Sequence, residues 1–121
     1  METIKIFAEL FQIRTQAHWL HLQTTLYPEH KSLDEFYTEW GNLTDLFTET
    51  YFGKYGRVQG SFLNAVKSYE TTNSTDFVNS VYSVFLPQLA SLVKAEDTDL
   101  QNILADMKGL CNHTKYLLTL R

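Results

Sequence analysis

The sequence has little that would break a helix: two prolines and five glycines in 121 residues. Long uninterrupted elements follow, because interior proline removes a backbone donor and interior glycine weakens a helix. It also lacks a basic stripe or tail. Lys and Arg number 10 against 14 Asp and Glu, for a formal net charge of −4. A protein that grips nucleic acid displaces phosphate counterions with clustered positive charge, so DNA binding is not expected. No apolar run approaches the roughly 20 residues that span a bilayer. The opening METIKIFAELFQIR mixes charged and apolar residues in a helical rhythm and has no signal-peptide layout. The single Cys111 closes no internal disulfide. Together these absences predict a cytoplasmic protein in a reducing compartment. The Asn-x-Thr triplets at Asn42, Asn73 and Asn112 then read as chance.

What is present is a helical period. With 44% hydrophobic and 20% charged residues, the chain predicts one globular domain, residues 1–121. Ile6, Leu10, Ile13, Ala17 and Leu20 form an apolar stripe over about residues 3–24. Leu33, Phe36, Tyr37, Trp40, Leu43 and Phe47 mark a second helix from about Leu26 to Phe52, ending near Gly53 and Gly56. Residues 61–66 predict a short helix, and residues 70–75 a polar loop in which Ser74 or Thr75 caps a third helix. Pro87 is expected to kink that helix. A fourth runs from about Thr98 to Leu120. Two short joints and one long one predict an all-α fold: a ferritin-like four-helix bundle with a long crossover between the second and third helices.

The second helix carries His30 and Asp34 four residues apart, then Asp45 and Glu49 four apart, with Asp45 eleven positions after Asp34. At about 100° per residue all four share a face, yet at about 1.5 Å per residue Asp34 and Asp45 stand about 16 Å apart. One metal site needs ligands about 2 Å from the ion, so a single straight helix cannot close it. Two such helices packed antiparallel across a two-fold can, with His30 and Asp34 of one chain facing Asp45 and Glu49 of the other. The centre falls beside Thr38 and Gly41, small enough for close approach. His18, on the first helix, adds a nitrogen ligand to the His30/Asp34 half. Mixed imidazole and carboxylate suit ferrous iron, manganese or zinc better than calcium or magnesium. Either pair alone is commonly just a solvated face.

The run Gln16-Ala17-His18-Trp19, followed by His30, Asp34, Asp45 and Glu49 at these spacings, resembles the ferroxidase signature of the DNA-protecting-during-starvation (Dps) branch of ferritins. The match is sharpest over residues 16–49 and looser in the last helix. The resemblance implies a di-iron site at a two-fold interface, in a homo-oligomer that extends to a twelve-subunit shell storing ferric mineral. It implies that two Fe(II) each give one electron to peroxide, so that no hydroxyl radical is released. It also makes Trp19 a catalytic residue that takes up stray oxidising equivalents, against the plainer reading of interface packing. Leu20 and Gln23 depart from the family pattern after Ala-His-Trp, and the family's basic N-terminal tail is missing. The alternative is a non-catalytic assembly or interaction protein holding a structural metal.

Other residues read as structural. His21 is expected to be solvated or packed rather than a ligand, His113 a surface or satisfied core histidine, and Cys111 core filler. Glu96, Asp97 and Asp99 either line an acidic iron-entry pore at a three-fold axis or favour a helix N-terminus. Trp40, Tyr51 and Phe52 read as packing.

Overall fold

The computed structural model describes residues 2–120. Helix α1 spans Thr3–Gln23 and α2 spans Tyr27–Tyr55. A third helical run, residues 74–90, joins α3 (Ser74–Ser80), a π-helical stretch (Val81–Phe85) and α4 (Leu86–Ala90). Helix α5 is Thr98–Leu117. Among the described residues there is no strand, so the fold is all-helical, and no helix is long and apolar enough to cross a membrane.

The expected stripe of α1, from Ile6 to Leu20, is buried. After three residues the chain enters α2 with Pro28 in the first turn, where its missing N–H costs nothing. Helix α2 passes through Gly53 and stops at Gly56, whose φ of 86° an L residue rarely adopts. The partners show the directions. Trp40 Nε1 donates to Leu10 O at 3.0 Å while His21 packs on His30, so α1 and α2 are antiparallel. Lys54 meets Asp99 and His113 meets Glu35, so α2 and α5 are antiparallel as well. Ser74 bonds Glu29, Phe77 packs on Phe36 and Phe85 on Trp40, so the third run is parallel to α2. One core joins all four arms.

A parallel third run requires the chain to return along the bundle after α2, and residues 57–73 do this against α1. Gly60 lies on Ile4, Ala65 N donates to Gln12 Oε1 at 3.2 Å, and Tyr69 Oη reaches Thr24 Oγ1 at 3.3 Å. Between them, Gln16 accepts from Lys67 N at 2.6 Å and donates to Lys67 O at 3.1 Å. The expected helix at 61–66 is therefore not formed. Residues 60–69 must cover the rise of α1 from 4 to 24, about 30 Å; nine extended steps give about 30 Å, whereas nine helical steps give about 14 Å. A short 3-10 turn, Tyr69–Thr71, occupies part of the expected loop instead.

Three further boundaries differ. Asn73, not Ser74 or Thr75, caps α3 by accepting from Asp76 N at 3.1 Å, and Ser74 donates to Glu29 Oε1 at 2.9 Å instead. Pro87 cannot donate to Ser83, and its effect appears as a register change: Leu86 N bonds Val81 O across the π-helical stretch, placing Pro87 in the first turn of α4. Helix α5 ends at Leu117 rather than Leu120.

Gln16 is buried and is the central tether of the crossover. Gln16→Ala is expected to cost about 2 kcal/mol, two hydrogen bonds at about 1 kcal/mol each. Urea unfolding checks the cost, and hydrogen exchange should show the Lys67 amide losing protection while α2 keeps its own.

Candidate metal centre

His18 lies on the exposed flank of α1, its ring stacked 4.2 Å from that of Tyr37 on α2 at an interplanar angle of 8°. His21 is buried and faces His30, their rings 3.8 Å apart. The two are joined reciprocally: His21 Nδ1 to His30 O at 2.7 Å, and His30 Nδ1 to His21 O at 2.9 Å. A carbonyl only accepts, so both Nδ1 atoms carry a proton, and in the neutral form of either ring the lone pair is the one on Nε2. His30 thereby satisfies a carbonyl in the last turn of α1. It also takes the form of a metal-ligating histidine, with one nitrogen fixed by an acceptor and the other free.

Asp34 is half-buried one turn on, beside Tyr37. Burial first, and then the Asp34 carboxylate that its hydroxyl meets, push the Tyr37 phenol above its ordinary range. Asp45 and Glu49 are exposed further along the same continuous helix. Among the described residues no three His, Cys, Asp or Glu converge within one chain. His18, His30 and Asp34 lie at one end of the α1/α2 face, and Asp45 and Glu49 nearer the other, so one chain does not bring the two groups together. Trp19 is 41% exposed. At the middle of the face, Gly41 admits Arg14 rather than bare helix: a Cβ there would stand 2.6 Å from Arg14 Nε.

His21 is the residue whose part the sequence understated. Expected as solvated or packed, it is packed and also hydrogen-bonded. Its spacing of four from Ala17 puts it on the buried stripe, and that was the available signal. Helix periodicity carries no information about the partner it meets after the turn.

The acidic joint before α5 is pinned by α2. The Asp97 carboxylate accepts from the Tyr55 hydroxyl, from Lys94 N at 2.9 Å and from Lys54 Nζ at 3.3 Å, and Asp99 pairs with Lys54 at 2.6 Å. Asp97 occupies the N-cap position of α5 but makes no side-chain cap bond. The Tyr55 bond, followed by the Lys94 amide, holds Asp97 below the usual carboxylate range. In return Asp97 pushes the Tyr55 phenol up from 10.0 to about 12. Asp97 therefore stabilises the fold above the ordinary carboxylate range, and that contribution is lost as pH falls through its depressed value. Tyr55 contributes fully below 10.0 and loses its contribution as pH rises towards about 12. In an ultraviolet titration, Asp97→Asn should bring one tyrosine down from about 12 towards 10.0, with burial keeping it above that value.

The remaining residues are where packing puts them. His113 Nε2 lies 3.3 Å from Glu35 Oε1 with both largely exposed. Cys111 is fully buried, and burial pushes its thiol to about 12, so it stays protonated. Tyr51 and Phe52 pack on Phe7 at 5.4 and 5.6 Å.

The model of a family of unknown function (DUF5856) matches residues 21–118 of the chain, taking in all of α2 and leaving His18 and Trp19 outside. An Enterobacteria phage T4 protein, described as an uncharacterized 14.6 kDa protein in the mobD-ri intergenic region, is 32% identical over 104 residues. That alignment covers 85% of this chain and 77% of the phage protein. No solved structure matches.

Proposed function

We propose that this chain, which belongs to the family of unknown function DUF5856, oxidises Fe(II) as a ferritin-like, Dps-like protein. The active unit is a two-fold dimer with two sites, each built from His18, His30 and Asp34 of one chain and Asp45 and Glu49 of the other. One observation carries the reading. Five ligand-type residues at the Dps spacing lie on two antiparallel helices of a one-crossover bundle, and His30 is held with Nε2 free.

Fe(II) is the substrate. The carboxylates of Asp34, Asp45 and Glu49 supply negative charge where positive charge grows on oxidation, and the imidazoles supply neutral nitrogen. Each of two Fe(II) loses one electron, and peroxide takes both and two protons to give water. In this reading Trp19, next to His18 in the chain, takes up stray oxidising equivalents. Assembly beyond the dimer into a twelve-subunit shell belongs to the same reading, and Zn(II) or Mn(II) would compete for the same ligands. The net charge of −4 argues against DNA as a partner.

The test mixes metal-free protein anaerobically with Fe(II), adds peroxide and follows ferric absorbance against Asp34→Ala and Glu49→Ala. Wild-type protein should oxidise iron much faster than either variant. Equal rates would leave the alternative, a non-catalytic assembly or interaction protein holding a structural metal.

A further inference from the structure

We propose that the cleft over Gly41, between α1, α2 and the crossover, binds hydrogen phosphate. The cleft holds about 230 Å³, and its lining includes Arg14, Thr15, Thr44, Asp45 and Asn64. Arg14 makes no ion pair or hydrogen bond among the described residues. Its seat depends on Gly41, where any Cβ would stand 2.6 Å from Nε and 3.0 Å from Cδ. Glycine in a helix interior costs stability relative to alanine. At Gly41 the return for that cost is room for an unpaired guanidinium. Thr44 borders the cleft at only 7% exposed, and its hydroxyl, closed to solvent, has no hydrogen-bond partner, so a turn about its Cα–Cβ bond is what would bring it to an anion. A buried hydroxyl left unpaired is itself unfavourable and marks a donor awaiting an acceptor.

The donors present match an oxyanion. A guanidinium binds two phosphate oxygens through parallel N–H bonds, and the hydroxyls of Thr15 and Thr44 and the amide of Asn64 can serve the others. Asp45 selects among oxyanions. Its carboxylate repels a fully deprotonated anion but accepts from a P–OH group, which hydrogen phosphate keeps at neutral pH and sulfate lacks. Asp45 is also assigned to the iron site and Gly41 to the centre of the pairing face, so the inference concerns the metal-free chain before it pairs; phosphate binding and iron oxidation are read out separately, and either can fail alone.

The test titrates metal-free, isotope-labelled protein at pH 7 with inorganic phosphate, and separately with sulfate at equal ionic strength, following backbone amide resonances. Phosphate should shift Arg14, Thr15, Gly41, Thr44 and Asn64 saturably, with sulfate at least about tenfold weaker, a difference of about 1.4 kcal/mol. Gly41→Ala should displace Arg14 and weaken phosphate at least about tenfold, with the thermal midpoint unchanged or higher. Thr44→Val should weaken phosphate without unfolding the chain. Asp45→Asn, able to donate, should bring sulfate to within about threefold of phosphate. Equal shifts from both anions in wild-type protein, or undiminished binding by Gly41→Ala, would mean an adventitious ion only and overturn the site. Continued exclusion of sulfate by Asp45→Asn would overturn the selection by Asp45.

Discussion

Refolding Asp34→Ala chains together with Glu49→Ala chains should restore Fe(II) oxidation that neither variant shows alone. Each variant by itself makes dimers in which both sites lack a carboxylate, and its rate should fall at least about a hundredfold, the upper end of what removing an outer-shell partner costs. In a mixed dimer the two losses fall on the same site. The other site then has Asp34 from one chain and Glu49 from its mate. Random pairing makes half the dimers mixed, each with one good site of two, so the mixture should recover about a quarter of the wild-type rate. Asp34→Ala mixed with Asp34→Ala,Glu49→Ala chains is the control: no pairing restores a site, and no activity should return. Recovery in the control, or none in the first mixture, would rule out a site divided in this way. The experiment is informative because Asp34 and Asp45 stand about 16 Å apart on a continuous α2, too far for one chain to close the centre.

The largest effect on stability is expected at Trp40. Its side chain is fully buried, donates to Leu10 O at 3.0 Å, and packs on Phe36 and Phe85 with ring centroids 5.7 and 6.3 Å away. It therefore ties α1, α2 and the π-helical stretch at one point. Trp40→Ala should cost about 3–5 kcal/mol through lost burial and a large cavity. A domain of this size has about 5–15 kcal/mol in total, so the variant should be marginally folded at best. Trp40→Phe keeps much of the volume and loses the hydrogen bond, and should cost less, about 1–2 kcal/mol. Urea midpoints with circular dichroism give both values. Similar losses in the two variants would place the energy in the bond to Leu10 rather than in the packing.

The expected helices were legible because helix formation here follows an apolar stripe readable within a few turns. Ile6 to Leu20 and Leu33 to Phe47 carry it without interruption, and their large residues are those found buried. The failure at 61–66 has a definite cause. Phe62, Leu63 and Val66 have a helical rhythm, but the segment must span the length of α1 in few residues, and only extended chain reaches. Leu63, 94% exposed, shows that local rhythm lost to this requirement. The Asn73 cap and the register change before Pro87 were missed for a related reason. Several residues at each boundary can play the part, and tertiary contacts such as Ser74 with Glu29 decide among them.

By itself the sequence determined that the chain is helical, where its long helices lie, and that His30, Asp34, Asp45 and Glu49 share one face of α2, since all of these depend on spacing along the chain. Only the tertiary structure decided that His21 and His30 clasp across the hairpin, that Gly41 seats Arg14, and that Asp97 takes Tyr55 and Lys54 as partners. Such contacts join residues far apart in sequence. They depend on which faces meet once the helices pack, and helical periodicity records that a face is apolar without recording what it will touch.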